Sequence, residues 1–237
     1  MIAVRSSMLR VLVVAAAGAT LLSGCGGSGA NTGAAQTPST PRDRLVLTAA
    51  EFPAGSTELD LPQDKLNATV GDVAKTQQNA TYSPAECGAT QHDLGATLNA
   101  VMTEASFAAA TYGNSNFLIE TVASTVADLS TFTRNIQRCP DVTMTTTTED
   151  GKTVTTGTSV TELPVPPDLS GMHAVAYKST SSTASAVTPL STITFAGYAT
   201  LRGLTVGVRV MAVGDAPDQA AFDQLFTSAV HKVQQAA

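Results

Sequence analysis

Apolar and polar residues alternate along much of the chain after residue 100, with a spacing that predicts β-strands. The segments with this pattern are 104–112, 116–122, 142–148, 153–163, 172–179, 188–200 and 204–213. Glycine-containing turns at 113–115 and 149–152 separate two pairs of these segments and favour hairpins. The last strands follow one another closely, so we expect them to form an antiparallel meander.

The C-terminal segment has the clearest helical pattern in the chain. Pro217 is a suitable first residue, and apolar residues then recur at intervals of three and four. These residues are Phe222, Leu225, Phe226, Ala229, Val230 and Val233. The pattern predicts a long C-terminal helix with one buried face.

Two further helices are expected before it. Residues 83–86, Ser-Pro-Ala-Glu, resemble a capping box in which Ser83 is the N-cap residue. The second helix has the apolar series Val126, Leu129, Phe132 and Ile136, with Ser124 as its cap, and ends at Cys139-Pro140. A shorter capping box, Thr48 to Glu51, is stopped at Pro53.

These elements predict an α+β fold for residues 44–237, as one globular domain. We expect an antiparallel sheet of about five to seven strands, two or three packed helices and the long C-terminal helix. With 43% apolar residues and 14% charged residues, the chain can form a substantial core, which argues against disorder. The net charge of −6 argues against nucleic-acid binding, since it offers no excess of cations for phosphates.

Residues 1–24 have the composition of an export signal. Arg5 and Arg10 flank the start of an apolar segment, 11–22, that is too short for a permanent membrane span. The following Leu-Ser-Gly-Cys, 22–25, resembles a bacterial lipobox, which implies cleavage after residue 24 and a diacylglyceryl group on the Cys25 sulfur. The alternative is an ordinary secretory signal with an incidental cysteine.

Residues 25–43 are predicted to be a lipidated, flexible tether. Small residues, glycines and two prolines dominate this segment, whose typical span is about 20 Å. Two acyl chains hold a protein on a bilayer far more firmly than one. We therefore expect the protein on the extracytoplasmic side of the cell membrane, with the membrane as its partner through the lipid on Cys25.

Cysteine content is consistent with export. Once Cys25 is lipidated, Cys87 and Cys139 remain as an even pair in an oxidising compartment, which predicts a Cys87–Cys139 disulfide. Two free buried thiols are one alternative. A redox pair is another, but there is no C-x-x-C motif to support it.

Motifs of common enzymes are missing from the sequence. There is no Gly-x-Ser-x-Gly, phosphate loop or dinucleotide fingerprint. His92, His173 and His231 are far apart and lack metal-ligand spacing, and His92-Asp93 has no associated nucleophile. We predict no catalytic, cofactor or metal site.

Two glutamates on one predicted hairpin are candidates for a catalytic pair. Glu104 and Glu120 lie on its two arms and could face each other. A glycosidase needs two carboxyl groups at a controlled separation in a cleft. We therefore interpret them as part of a solvated strand face.

Several short motifs together resemble mycobacterial cell-envelope lipoproteins. They are the lipobox at Cys25, the small-residue tether, residues 47–53, residues 83–87 and Cys139-Pro140. The soluble part is similar to the extracellular sensor domain of a mycobacterial receptor serine/threonine kinase. That resemblance implies an α+β fold with a cleft, no catalytic activity and a role in sensing a ligand. The chain departs from that domain in having one cysteine pair instead of two and no tryptophan, so we assign no ligand-binding residue from it.

Three functions are compatible with these observations. The first is a tethered, non-catalytic binding or sensing module for an apolar or amphiphilic envelope ligand, such as a lipid or glycolipid. The second is a structural lipoprotein that docks an envelope protein partner without a small ligand. The third is a hydrolase of envelope components, which the missing nucleophile motifs disfavour.

Overall fold

One antiparallel sheet of nine strands organises the computed structural model. The structure describes residues 36–60, 62, 76–113, 115–147, 151–184 and 190–237. The predicted signal peptide and Cys25 lie outside these described residues. No described helix is both long enough and apolar enough to cross a bilayer.

Every neighbouring pair of strands in the sheet is antiparallel. The strands are β1 (Ser56–Glu58), β2 (Thr81–Ser83), β3 (Ala105–Tyr112), β4 (Asn116–Ala123), β5 (Asp141–Thr147), β6 (Thr153–Leu163), β7 (Ala174–Ala184), β8 (Leu190–Leu201) and β9 (Leu204–Val213). Their spatial order is β1-β3-β4-β9-β8-β7-β6-β5-β2, so β5 to β9 form the expected meander. The prediction of five to seven strands is too low, because β1 and β2 have three residues each and are too short to show a period.

Three longer helices are found in the described part of the chain. They are α1 (Cys87–Thr103), α2 (Leu129–Arg138) and α3 (Gln219–Gln235). Short 3₁₀ turns occur at Arg42–Arg44, Ala49–Glu51 and Pro167–Leu169. The turn at Ala49–Glu51 has the predicted capping box, with Thr48 as its N-cap.

The helices cover opposite faces of the sheet. Phe222 of α3 packs edge-on against Phe195 of β8 on one face. On the other face, Phe132 of α2 contacts the rings of Tyr177 and Tyr198. Because successive side chains of a strand point to opposite faces, β8 contributes to both layers.

The predicted apolar face of α3 is fully buried. All six residues of the stripe, from Phe222 to Val233, are 0% exposed and belong to the largest hydrophobic cluster. Gly197 of β8 allows the helix to lie this close, since a Cβ at this position would be 2.6 Å from the ring of Phe226. Burial of this stripe fixes α3 on the sheet.

The start of α2 differs from its prediction. The helix begins at Leu129, and the Asp128 carboxylate accepts hydrogen bonds from the backbone N–H groups of Ser130 and Thr131. Ser124 is therefore not the cap, and Val126 is 56% exposed instead of packed. The four-residue shift follows from Asp128, which caps better because its carboxylate accepts several bonds at once.

The start of α1 also requires a correction. Ser83 is the last residue of β2 and lies four residues before the first helical residue, so it is not the N-cap residue. Glu86 occupies the N-cap position, and Cys87 is the first helical residue. The Ser-Pro dipeptide therefore ends a strand, and the chain turns into the helix immediately after it.

Residues 36–39 are hydrogen-bonded to the C-terminal residue and to the β8–β9 turn. The backbone N–H of Ser39 donates to the carbonyl of Ala237 at 2.7 Å. The Arg202 guanidinium donates to the Gln36 and Val233 carbonyls, and so links the N-terminal segment to the end of α3. Residues 36–43, which composition assigned to the tether, are thus part of the folded unit. Composition alone cannot reveal these pairwise contacts.

Cys87 and Cys139 are joined by a disulfide in the structure. Both cysteines are buried and form a small hydrophobic cluster with Val142 and Tyr82. The bond ties the first residue of α1 to the residue that follows α2. It therefore holds together the two helices that cover the second face of the sheet.

Loss of the disulfide should destabilise the fold. Cys87→Ala/Cys139→Ala releases a cross-link between residues 52 positions apart, which corresponds to about 2–4 kcal/mol. Urea unfolding of this variant and the parent chain measures the difference. Alkylation of both cysteines in denatured, unreduced protein would contradict the bond itself.

Close packing at Gly197 should be detectable by substitution. Gly197→Ala forces a methyl group against the Phe226 ring, and we expect a loss of about 1–3 kcal/mol in urea unfolding. Gly157→Ala in β6 is the matched control, because no atom lies within 4 Å of a Cβ there. Equal stability of the two variants would show that α3 does not press on β8 in this way.

Candidate functional site

A cleft of about 390 Å³ lies between the α1–α2 layer and the second face of the sheet. Its walls come from α1, α2 and the disulfide region, and its floor comes from strands β5 to β9. The lining residues of the helical side are Gln91, Leu94, Gly95, Leu98, Phe132, Ile136, Cys139 and Pro140. The volume is within the range of roughly 300–1,000 Å³ that is typical of small-molecule sites.

The helical wall of the cleft is mainly hydrocarbon. Leu94 and Leu98 lie on the same side of α1, four residues apart, and Ile136 and Phe132 have the same relation on α2. Val160 of β6 continues this surface on the floor. This part of the cleft can therefore accommodate an alkyl chain or a ring.

The sheet contributes hydroxyl groups to the floor. Ser179 and Ser181 of β7 lie beside Thr158 of β6 and Thr194 of β8. The Thr158 and Ser181 hydroxyl oxygens are 3.0 Å apart and hydrogen-bonded. Because these hydroxyl side chains are short, they leave space in the cleft above the strands. They also offer hydrogen-bond donors and acceptors to a ligand.

One cation, Arg209 of β9, faces the cleft. Its Nη2 donates a hydrogen bond to the Tyr198 hydroxyl at 2.9 Å. The adjacent Tyr198 raises the pKa of Arg209, so the guanidinium stays charged. Among the described residues, Arg209 forms no ion pair with a carboxylate.

The position of Tyr198 depends on a glycine in the neighbouring strand. A Cβ at Gly207 would lie 3.3 Å from the Tyr198 ring and 2.6 Å from the Thr121 hydroxyl. Without that Cβ, the ring can lie against β9 beside Arg209. On its other side the ring contacts Phe132, with centroids 5.2 Å apart.

Tyr177 forms a second phenol in the floor. Its hydroxyl is 2.5 Å from the Thr133 hydroxyl of α2, and the two are hydrogen-bonded. Burial raises the pKa of Tyr177, so its hydroxyl is neutral at physiological pH. The bond connects α2 directly to the sheet.

A larger cavity, about 1,110 Å³, lies near the β1–β3 edge of the sheet. Its lining includes Arg44, Asp60, Glu58 and the backbone-rich segment Val46–Ala50. Charges of both signs and several small residues line it, so it lacks the separation into apolar and polar parts that the smaller cleft has. We therefore take the smaller cleft as the candidate site.

A buried carboxyl group lies on the opposite face from the cleft. Glu120 of β4 is 0% exposed, and its Oε2 accepts a hydrogen bond from the Leu47 N–H at 2.6 Å. Within the described residues its Oε1 has no hydrogen-bond partner. Burial raises the pKa of Glu120 to about 7, although the Leu47 bond and the charge of Lys232 act to lower it.

Lys232 and Glu51 form an ion pair beside the segment that contains Leu47. Lys232 Nζ donates to Glu51 Oε2 at 2.5 Å and to the Val46 carbonyl at 2.8 Å. Burial raises the pKa of Glu51, but the bonds from Lys232 and Thr48 outweigh it and bring the value to about 2. Residues 45–52 are thereby fastened to α3 and to β4.

The structure does not bring the sequence-selected ionisable residues together. Glu104 is exposed in the turn before β3, whereas Glu120 is buried, so the interpretation of both as a solvated strand face is wrong for Glu120. Glu120 pairs in register with Ala108 instead of facing Glu104.

The histidines are also dispersed. His92 is exposed on α1 and lies edge-on against the Tyr82 ring, and the exposed His173 contacts the Thr200 hydroxyl through its Nδ1. His231 is on α3, on the opposite face of the sheet. No group of three potential metal ligands occurs among the described residues.

Sequence patterns did not single out Arg209 and Tyr198, and they placed Glu120 on a solvated strand face. Arg209, Glu120 and Tyr198 each lie in a strand whose other residues are mainly apolar or small. A charged residue within such a strand was the available signal, because burial of an unpaired charge is costly and therefore uncommon. Cys139 does line the cleft, next to the apolar wall.

No protein-family model matches the sequence, and no curated protein matches it. Two solved structures do. The extracellular domain of PknH from Mycobacterium tuberculosis is 13% identical, with a TM-score of 0.45 over 84% of this chain and 98% of that one. An uncharacterized Mycobacterium smegmatis protein, an Rv0999 ortholog, is 15% identical, with a TM-score of 0.41 over 78% of this chain and 92% of that one. The structural neighbours of this chain therefore include the extracellular domain of a mycobacterial protein, at low sequence identity.

The buried Glu120 should make stability fall as the pH rises through neutrality. Between about pH 4.5 and 7 the folded chain retains a proton on Glu120 that the unfolded chain has lost. The stabilisation from that proton is complete below pH 4.5 and is lost as the pH rises through 7. It amounts to roughly 3 kcal/mol.

Glu120→Gln should flatten this dependence, because an amide does not titrate. Urea unfolding at pH 5 and pH 8 measures the change, with Glu58→Gln, an exposed glutamate of β1, as the control. Glu51 does not change the free energy of unfolding between pH 5 and pH 8, because the stability from its lowered pKa is lost only below about pH 4.5. An unchanged slope in Glu120→Gln would contradict the assignment.

Proposed function

We propose that this chain is a membrane-anchored, extracytoplasmic, non-catalytic module that binds an apolar or amphiphilic ligand. The observation that carries the proposal is the cleft beneath α1 and α2. It combines an alkyl-lined wall with a hydroxyl-lined floor, which suits a molecule with an apolar part and a polar part.

The lining of the cleft supports binding over hydrolysis. None of its described lining residues is a histidine, aspartate or glutamate. A serine such as Ser179 would need an adjacent base to act as a nucleophile. The hydroxyl groups here are therefore suited to hydrogen bonding with a ligand.

Export and anchoring rest on the N-terminal sequence. The lipobox at Cys25 supports a lipid anchor, and the Cys87–Cys139 disulfide is in keeping with an oxidising compartment. An anchored binding module would hold its ligand close to the membrane surface.

A docking role without a small ligand is the second candidate function. It would require a continuous apolar surface. The large apolar side chains that are exposed in the described part of the chain are Phe117, Val126, Leu190 and Val213. Phe117, Leu190 and Val213 lie near one another on one face of the sheet, since Phe117 pairs with Met211 and Val213 pairs with Thr192, whereas Val126 is in a separate loop. This group of three side chains is smaller than the lining of the cleft, so the argument for a cleft ligand is stronger.

Filling the cleft should block ligand binding. Ser179→Trp places an indole in the floor, whereas Thr180→Trp places the same group on the opposite face of the same strand. We expect dodecanoate or 1-monododecanoylglycerol to bind the parent chain and Thr180→Trp with one-to-one stoichiometry. Ser179→Trp should bind at least about tenfold more weakly, since the added ring occupies the ligand volume.

Isothermal titration calorimetry measures these affinities in the chain from residue 25, with Cys25→Ser so that no acyl chain of its own competes. The described hydrophobic clusters lie entirely within residues 36–237, so this chain retains every core. Absence of binding by the parent chain, or equal binding by both tryptophan variants, would refute the proposed site.

A further inference from the structure

Arg209 is the one charged residue among those that line the cleft. It lies on β9 opposite Ala196 of β8, and both side chains belong to the cleft-facing side of the sheet. A guanidinium has five N–H donors. Within the described residues, its hydrogen bond is the one to the Tyr198 hydroxyl, which leaves donors available to the cleft.

The cation has no counter-charge within the cleft. Two other cations have partners of their own: Lys232 pairs with Glu51, and Arg202 binds the carbonyls at the end of α3. Arg209 is partly buried, and the partial burial of a guanidinium without an anionic partner is unfavourable. An incoming anion would remove that cost and could accept two parallel hydrogen bonds from the guanidinium fork.

The position of Arg209 relative to the apolar wall also matters. The same cleft is lined by Leu94 and Leu98 of α1, by Phe132 and by Arg209. A ligand can thus place hydrocarbon against the helices while its head group reaches β9. The Tyr198 hydroxyl holds the guanidinium and can contribute to the same head group.

We propose that the cleft selects amphiphiles with an anionic head group, a carboxylate or a phosphate, and that Arg209 is the residue that recognises it. This inference rests on the proposed function, because it specifies the ligand class of the same cleft. A planar carboxylate and a tetrahedral phosphate both present two adjacent anionic oxygens, which can accept hydrogen bonds from Arg209.

Three probes with the same alkyl chain separate charge from hydrophobicity. They are dodecanoate, dodecyl phosphate and the neutral 1-monododecanoylglycerol. We expect at least one anionic probe to bind the parent chain at least about tenfold more tightly than the neutral probe. The better of the two anions identifies the head-group type.

Arg209→Met should abolish this preference, since methionine keeps much of the apolar stem but carries no charge. Arg209→Lys should recover part of the preference, because it restores the charge without the bidentate fork. Arg134→Met is the matched control: Arg134 is exposed on α2, binds the Ser130 and Thr131 hydroxyls and does not line the cleft.

The outcomes distinguish this inference from the function it rests on. Equal affinity of the parent chain for charged and neutral probes, or an unchanged preference in Arg209→Met, overturns the role of Arg209 and leaves the cleft as a binding site. Binding of none of the three probes overturns both. A loss of all binding in Arg209→Met together with full binding in Arg209→Lys supports the inference, because it shows that the charge is required.

Discussion

The two-residue period of the strands determines what each face of the sheet does. Along β9, Val206, Val208 and Val210 are buried under α3, while the intervening Gly207 and Arg209 face the cleft. A shift of one residue would exchange these sets and put the guanidinium into the hydrophobic core. Packing of α3 against the valine face therefore also fixes the lining of the cleft.

The same period separates two ionisable residues of the sheet, the buried Glu120 and the partly buried Arg209. In the β4–β9 register Glu120 pairs with Val208, and Arg209 pairs with Ile119, so the acid and the base are one residue apart on adjacent strands. Their side chains nevertheless point to opposite faces. The sheet thus prevents a direct ion pair, and each group depends on its own layer: Glu120 on the Leu47 segment and Arg209 on Tyr198.

Periodicity was sufficient to predict the long elements. The seven strands of seven residues or more and the face of α3 follow the sequence pattern, because burial on one face imposes it. The errors occur where a single local interaction decides the outcome. Asp128 replaced Ser124 as the cap of α2, and β1 and β2 are defined by their partners. The cleft depends on how α1 and α2 lie over the sheet, and this is a tertiary arrangement that the sequence pattern does not specify.

The hydrogen bonds that join Gln36, Arg202 and the end of α3 have a mechanical consequence. Gln36 is held beside the β8–β9 turn, so the anchor proposed at Cys25 would act on the domain at this corner. Strand β8 rises about 3.3 Å per residue, which puts Thr194 in the cleft floor roughly 25 Å along the strand from Arg202. Under the proposed function, an attachment at this corner would leave the cleft floor away from the point of attachment, so transfer of a ligand from a bilayer would depend on how the domain is inclined to the membrane.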